Sequence, residues 1–402
     1  MSEERKGVCS AKGFLAGAAH AGIKEGSTKD DLAVIYSSVP CNAAAVYTTN
    51  VVKAAPLKIT KKHLENGKAQ AIVVNSGNAN AAAVNGELHA LETAEKAAEV
   101  LGLNPEDILV ASTGVIGQEI NIDAILNTLP EIELSDQNSE AANLAIMTTD
   151  TKTKTCSLSF TLGKKECHIG GICKGSGMIH PNMGTMLCFI TTDAAISSEM
   201  LQKSLSANVK TTFNRISVDG DTSTNDMVVV LANGLAQNTE IRAEDSEYEK
   251  FNDALHQVME CLAISIAADG EGASRLITCK VFNAADEKQA ETLARSVVSS
   301  SLLKAAMFGQ DANWGRVICA MGYSGASFDP DQVDITFASA KGEICVCKNG
   351  RETKADDDTA FSILSEDAID ILINLHEGTA EATCWGCDLT YDYVTINRDY
   401  RT

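Results

Sequence analysis

Apolar positions along the chain follow two periods, one of strands and one of helices. Ala71–Asn75 (AIVVN) is a continuous apolar run that ends in the Gly/Asn-rich turn Ser76-Gly77-Asn78, the pattern of a buried strand. Gly86–Leu101 (GELHALETAEKAAEVL) carries apolar residues at helical spacing and stops at Gly102, as suits a helix C-terminus. Asn104-Pro105-Glu106 reads as a cap with proline at the first helical position. Ile108–Ala111 (ILVA) predicts a further strand that runs straight into Ser112-Thr113-Gly114. A strand opening into a turn of small residues is a usual place for a catalytic donor. Farther on, Asp245–Ala268 predicts a long helix before the turn Asp269-Gly270-Glu271-Gly272, and Ala285–Phe308 predicts a second. The last quarter is richer in strand signals, and Cys387–Ile396 (CDLTYDYVTI) alternates in part. The class is α/β or α+β, with mixed or antiparallel sheets packed with helices. No internal repeat or low-complexity linker interrupts it.

Composition narrows the function classes. The 402 residues suffice for two lobes or one large unit, and 45% hydrophobic with 22% charged residues is globular composition. Met1–Gly7 (MSEERKG) is charged and leads into no apolar run, so no secretory leader is expected. No stretch reaches the roughly 18 apolar residues of a membrane helix, and a soluble, cytoplasmic protein is expected. The formal charge of −21 argues against a nucleic-acid partner, which needs a basic face.

Thirteen cysteines without a framework spacing suggest free thiols rather than disulfides. Cys384-Trp-Gly-Cys387 and Cys345-Val-Cys347 are local pairs, the second with both thiols on one face of a strand. Together they would make a four-thiolate zinc site conceivable. Buried strand cysteines are the plainer reading, and no metal is expected.

The most unusual segment is Lys174–Leu187, KGSGMIHPNMGTML, a constrained loop between two apolar strands. Glycine-rich loops cradle anions, yet neither G-x-x-x-x-G-K-[S/T] nor G-x-G-x-x-G occurs in it. A nucleophilic reading rests on Thr185, which follows Gly184. A threonine hydroxyl needs a base beside it. Breaking the peptide bond before Thr185 would free an α-amino group, with an ordinary pKa of roughly 7.7–8.0, on the same residue. Any Gly-Thr step shares that property, and a plain β-turn also fits the residues.

KGSGMIHPNMGTML resembles the autocleavage segment of the ornithine acetyltransferases, whose usual form is KGSGMIxPNMATML. The likeness covers nearly the whole chain. Val8, Lys12, Gly13 and Phe14 fit the opening V-x-x-x-K-G-F. AIVVNSGNANA (71–81), ASTGVIG (111–117), AIMTTDT (145–151), FNRISVDGDTSTN (213–225), DGEGA (269–273), NWGR (313–316) and NRDYRT (397–402) follow in family order.

The resemblance implies a self-processing α/β fold outwardly like the N-terminal-nucleophile hydrolases. It implies cleavage between Gly184 and Thr185, giving an α chain of residues 1–184 and a β chain of 185–402 that stay together, as α2β2. It implies acetyl transfer from N2-acetylornithine to glutamate in arginine biosynthesis, with no cofactor beyond acetyl-CoA as an additional donor in some members. Thr185 would be nucleophile and base, and Thr113 and Gly114 the oxyanion hole. Thr151, Lys174, Thr185, Glu271, Asn397 and Thr402 would bind substrate. Gly184 replaces the usual alanine, a small-for-small exchange that bears on cleavage rate. His180 occupies the variable position and reads as a loop histidine, not a base. Asp219-Gly-Asp221-Thr-Ser223 lacks the glycine and distal glutamate of a calcium loop and reads as structural. Two rivals are a self-cleaving aminopeptidase or amidase of similar fold, and a thiol-metal or redox protein using Cys384 and Cys387.

Overall fold

The computed structural model describes residues 6–24, 26–180 and 186–399. Its strands are β1 (Phe14–Ala19), β2 (Leu32–Tyr47), β3 (Lys68–Asn75), β4 (Ile108–Ser112), β5 (Lys154–Leu162), β6 (Lys165–Lys174), β7 (Leu187–Thr192) and β8 (Ile216–Ser217). After them come β9 (Met227–Ala232), β10 (Leu276–Ala284), β11 (Asp334–Ser339), β12 (Gly342–Lys348), β13 (Arg351–Glu352), β14 (Ala368–Asn374) and β15 (Ala380–Cys387). They form two mixed sheets. The first runs β4-β3-β2-β9-β7-β6-β5 with β1 on β2; the second runs β13-β12-β11-β14-β10-β15-β8. The α/β class with mixed sheets is therefore the observed one.

In the first sheet β7 and β9 are buried throughout and β3 is buried after Lys68, because both faces are covered. One face packs on the long helix Ser246–Ala268 and the helix Ser198–Thr211, the other on Val8, Phe14 and the helix Ser139–Ile146. The long helix also touches Trp385 and Cys387 of β15, so it joins the sheets. Asp245 starts it by accepting from the N–H groups of Glu247 and Tyr248, each at 3.0 Å.

The curl of β2 makes the site. Leu32 pairs with Asn75 at one end and Tyr47 with Met227 at the other. A straight strand of that length would hold its ends about 50 Å apart. Instead the pairing with β3 breaks register between Tyr36 and Cys41, and the strand ends converge. The Asn225 side-chain amide, next to β9, donates to the carbonyls of Ala79 (2.6 Å) and Ser112 (2.7 Å) beyond β3 and on β4.

Several expectations need correction. Ala285–Phe308 is two helices, Glu287–Ser299 and Ser301–Phe308. Ser300 leaves helical geometry (φ −71°, ψ 107°) and caps the second helix by accepting from Leu303 N at 3.3 Å. Cys387–Ile396 is not a strand: β15 ends at Cys387 and Tyr391–Asp399 is a helix. The chain turns there because Asp388 accepts from the N–H groups of Ser274 (2.8 Å) and Arg275 (3.0 Å). Pro105–Asp107 is a single 3₁₀ turn feeding β4.

Cys345 and Cys347 differ in exposure, since a register shift where β12 meets β11 leaves Cys345 exposed and Cys347 buried. Cys347 and Cys384 lie four strand spacings apart across the second sheet, about 19 Å, too far for shared metal ligation. Among the described residues no cluster of three or more His, Cys, Asp or Glu side chains suits a metal. No helix there is long and apolar enough to cross a membrane.

The Gly184/Thr185 division does not coincide with a boundary between sheets. β7 and β9, which follow Thr185, sit inside the first sheet between β6 and β2.

Candidate active site

The convergence of strand ends leaves a cavity of about 200 Å³ at the edge of the first sheet. Thr113, Gly114, Lys174, Glu271 and Asn397 all line it, five of the expected site residues drawn from four distant stretches of chain. Gly184, Thr185 and Thr402 lie outside the described residues. Met186 and Leu187, which follow Thr185 in the chain, line the same cavity.

Thr113 is fixed where β4 ends. Its N–H donates to Asn75 O at 3.0 Å, and the neighbouring Ser112 hydroxyl bonds Asn75 Oδ1 at 2.6 Å. Gly114 has φ +134°, and a Cβ there would fall 2.3 Å from the Gly77 carbonyl carbon. Only glycine fits this contact. A hydroxyl and an adjacent backbone N–H, held by flanking strands, are the donor pair an oxyanion requires.

Lys174 is the last residue of β6 and is buried. Its Nζ donates to Thr113 Oγ1 at 3.4 Å and lies 3.9 Å from Asp150 Oδ2. Burial pushes the ammonium down from its usual range, and Asp150 only partly restores it. Burial would likewise raise the Asp150 carboxyl, but Lys174, Lys154 and the Gly175 N–H outweigh it and hold that carboxyl at about 2. Lys154 completes the cluster, bonding Asp150 at 2.7 Å and Asp269 at 2.6 Å.

Thr151 does not line the cavity. Its N–H donates to Asp269 Oδ2 at 3.0 Å and its hydroxyl to Asp269 Oδ1, so its polar groups serve this buried ion cluster. Thr148 and Thr149, upstream in the same block, line the cavity instead.

Glu271 enters on the turn after the long helix, its N–H bonded to Ser176 O at 2.8 Å. Gly177 makes room for it, because a Cβ there would stand 2.4 Å from the carboxyl group. Asn397 arrives from the C-terminal helix and donates to Glu271 Oε2 at 2.7 Å.

Asp219 clamps the loop at Met178 and Ile179 by accepting from their N–H groups, at 2.5 Å and 2.9 Å. The Asp219–Ser223 turn is thus structural, and it also lines the cavity through Asp219, Asp221 and Ser223. His180 bonds Ser217 Oγ at 3.0 Å, and burial holds it down at about 4, so it is a neutral loop histidine near pH 7.

Sequence reasoning missed Asp150, Asn225 and Asp226, each inside or directly after a quoted block but with no chemistry assigned. Asp150 and Asn225 sit among other polar residues and carry no signal of their own, whereas Asp226 directly precedes the wholly buried strand β9.

The ArgJ family model matches residues 15–402. The chain belongs to the ArgJ family. It is 50% identical over 386 residues to the arginine biosynthesis bifunctional protein ArgJ 1 of Clostridium acetobutylicum, covering 95% of this chain and 94% of that one. The ArgJ protein of Thermotoga neapolitana is 49% identical, with 97% and 99% covered. The crystal structure of the ArgJ protein of Bacillus halodurans matches with TM-score 0.51 and 48% identity, over 54% of this chain and 100% of that chain. The family match spans residues on both sides of the Gly184–Thr185 bond.

Proposed function

We propose that this ArgJ family member transfers the acetyl group of N2-acetylornithine to glutamate through an acetyl ester on Thr185, giving ornithine and N-acetylglutamate in cytoplasmic arginine biosynthesis. The observation that carries the reading is the joining of Thr113, Gly114, Lys174, Glu271 and Asn397 around one cavity beside Met186. The precursor cuts itself before Thr185. The freed α-amine accepts the hydroxyl proton as Thr185 attacks the acetyl carbonyl, and returns it to the departing ornithine amine. Thr113 and the Gly114 N–H hold the oxyanion. Lys174 faces the substrate carboxylate and Glu271 the ornithine ammonium. Asn397 and Thr402 supply neutral hydrogen bonds. Thr151 acts at one remove, through Asp269 and Lys154.

Two features support cleavage. The Bacillus halodurans chain is matched in full by 54% of this chain, and residues 185–402 are 218 of 402, the same 54%. Strand β7 sits between β6 and β9, so severed chains remain laced in one sheet. The assembly we assign is α2β2. No bound cofactor is needed; acetyl-CoA would enter as a donor substrate, its thioester delivering the same acyl group to Thr185.

Incubating the enzyme with acetylornithine and no acceptor should leave one acetyl group on the chain that begins at Thr185, seen by intact mass. Kinetics should be ping-pong. An active preparation that stays wholly uncut, or rates that demand a ternary complex with no adduct, would sink the reading. Assaying acetylornithine and acetyl-CoA side by side defines the donor range.

A further inference from the structure

The mechanism above lacks a base for its first event. Before the chain is cut, the α-amine of Thr185 is an amide nitrogen with no free electron pair to take a proton. Self-cleavage therefore draws its proton carrier from elsewhere in the cavity.

We propose that the Asp226 carboxyl group is the proton carrier for self-cleavage, an assignment that rests on the Gly184–Thr185 scission proposed above. Asp226 lines the cavity and is 2% exposed, and its Oδ2 has no hydrogen-bond partner among the described residues. Its place is set by the ladder on both sides. The Thr48 N–H donates to its carbonyl at 3.0 Å, and Met227 N donates to Met186 O at 2.9 Å. Leu187 pairs with Met227, so continuing the register sets Asp226 beside Met186, whose nitrogen is bonded to Thr185.

The charged and titratable groups sharing the cavity are Lys174 on β6, Glu271 after the long helix, Asp219 and Asp221 on the preceding turn, and Tyr393 on the C-terminal helix. Burial raises the proton affinity of Asp226 well above the carboxylate range, offset only in part by Ser223, Thr48, Lys174 and the Met186 N–H. A carboxylate with raised proton affinity is a stronger base near neutrality than an exposed one. Lys174 is the rival carrier, but its Nζ already serves Thr113 and Asp150.

The step balances as follows. The Asp226 carboxylate takes the proton of Thr185 Oγ as Oγ bonds the Gly184 carbonyl carbon. The tetrahedral intermediate then collapses, the bond from Gly184 carbon to Thr185 nitrogen breaks, and Asp226 returns the proton to that nitrogen. Water hydrolyses the resulting ester, leaving a Gly184 carboxylate, the Thr185 hydroxyl and the free α-amine.

The test follows labelled precursor from cell-free translation, chased between pH 5 and 9, reading cleavage on denaturing gels. Wild-type cleavage should accelerate with pH and level off above the Asp226 titration. Asp226→Asn should slow it at least 10²-fold and abolish the rise, while Asp226→Glu should restore part of the rate. Should Asp226→Asn fail to fold, as judged by melting, the wild-type profile and Asp226→Glu still decide. A folded Asp226→Asn precursor that cleaves like wild type overturns the assignment. So does a flat wild-type profile, or a rate that falls with Lys174→Met and not with Asp226→Asn. A wild-type precursor that never cuts defeats the proposed function itself, a different outcome.

Discussion

Asn397 reaches from the C-terminal helix to Glu271, 126 residues earlier, with 2.7 Å between Nδ2 and Oε2. The bond orients a carboxylate that has no counter-ion within salt-bridge distance among the described residues. Chain ends are usually frayed and tolerant of change. Here the C-terminal helix contributes Tyr393 and Asn397 to the cavity lining. Deleting residues 397–402 should leave self-cleavage largely intact, because Asp226, Thr113 and Lys174 do not depend on it. The same deletion should raise KM for acetylornithine at least tenfold or abolish turnover. Steady-state kinetics on the cleaved, truncated enzyme checks this, and an unchanged KM would return the segment to an ordinary tail.

Thr113 bears on both activities. With its backbone fixed by Asn75 and Gly114 by Gly77, removing the hydroxyl leaves the strand end in place. Thr113→Ala should lower kcat by roughly 10²–10³-fold, the usual loss for one oxyanion donor. Cleavage passes through its own tetrahedral oxyanion and should slow as well. Normal turnover by a fully processed Thr113→Ala enzyme would remove this residue from the hole.

Local signals foretold local structure. The Gly86–Leu101 helix stops at Gly102, which takes φ +68° as glycine allows, and the long helix begins at the Asp245 cap. What failed were positions where a side chain turns the backbone aside. Ser300 splits a helix whose apolar spacing runs straight through it, and Asp388 ends a strand whose alternation continues. Neither event is periodic. The site divides the same way. Thr113, Lys174, Glu271 and Asn397 were legible through family blocks, whereas the roles of Asn225 and Asp226 depend on the curl of β2. That curl is a tertiary event, with no trace in the residues of β2 beyond a register break. Thr151 shows the converse: a residue in the right block whose hydroxyl points to Asp269.

Cysteine chemistry gives a test away from the site. Cys261, on the long helix, is exposed, and a hydrogen bond from Cys156 on β5 holds its thiol at about 7. Cys319 and Cys345 are also exposed. At pH 7.4 Cys261 should be alkylated by iodoacetamide several-fold faster than either, because the thiolate is the nucleophile. Peptide mapping of a brief labelling checks the order. Replacing Cys156 with Ser should change the Cys261 rate and leave the other two alone.

The buried cluster of Asp150, Lys154 and Asp269 makes acid stability specific. Asp150 is held at about 2 when folded, against an ordinary carboxyl value of about 3.9 in the unfolded chain. A carboxyl depressed in the folded state binds fewer protons there than when unfolded. Its contribution is therefore full above pH 4 and is lost as pH falls through 2. Linkage puts that contribution at about 2.6 kcal/mol. Asp150→Asn removes it and also leaves Lys154 with a poorer buried partner, so about 3–5 kcal/mol should be lost at pH 7. The measurement is best made in Thr185→Ala chains, which under the proposed self-cleavage stay uncut and unfold as one polypeptide. Urea midpoints for Thr185→Ala with and without Asp150→Asn should differ widely at pH 7. The gap should narrow steadily below pH 4, since protonation then removes the charge that the substitution removes. A gap of the same size at pH 7 and pH 2.5 would mean that Asp150 acts through packing and hydrogen-bond shape, not through its charge.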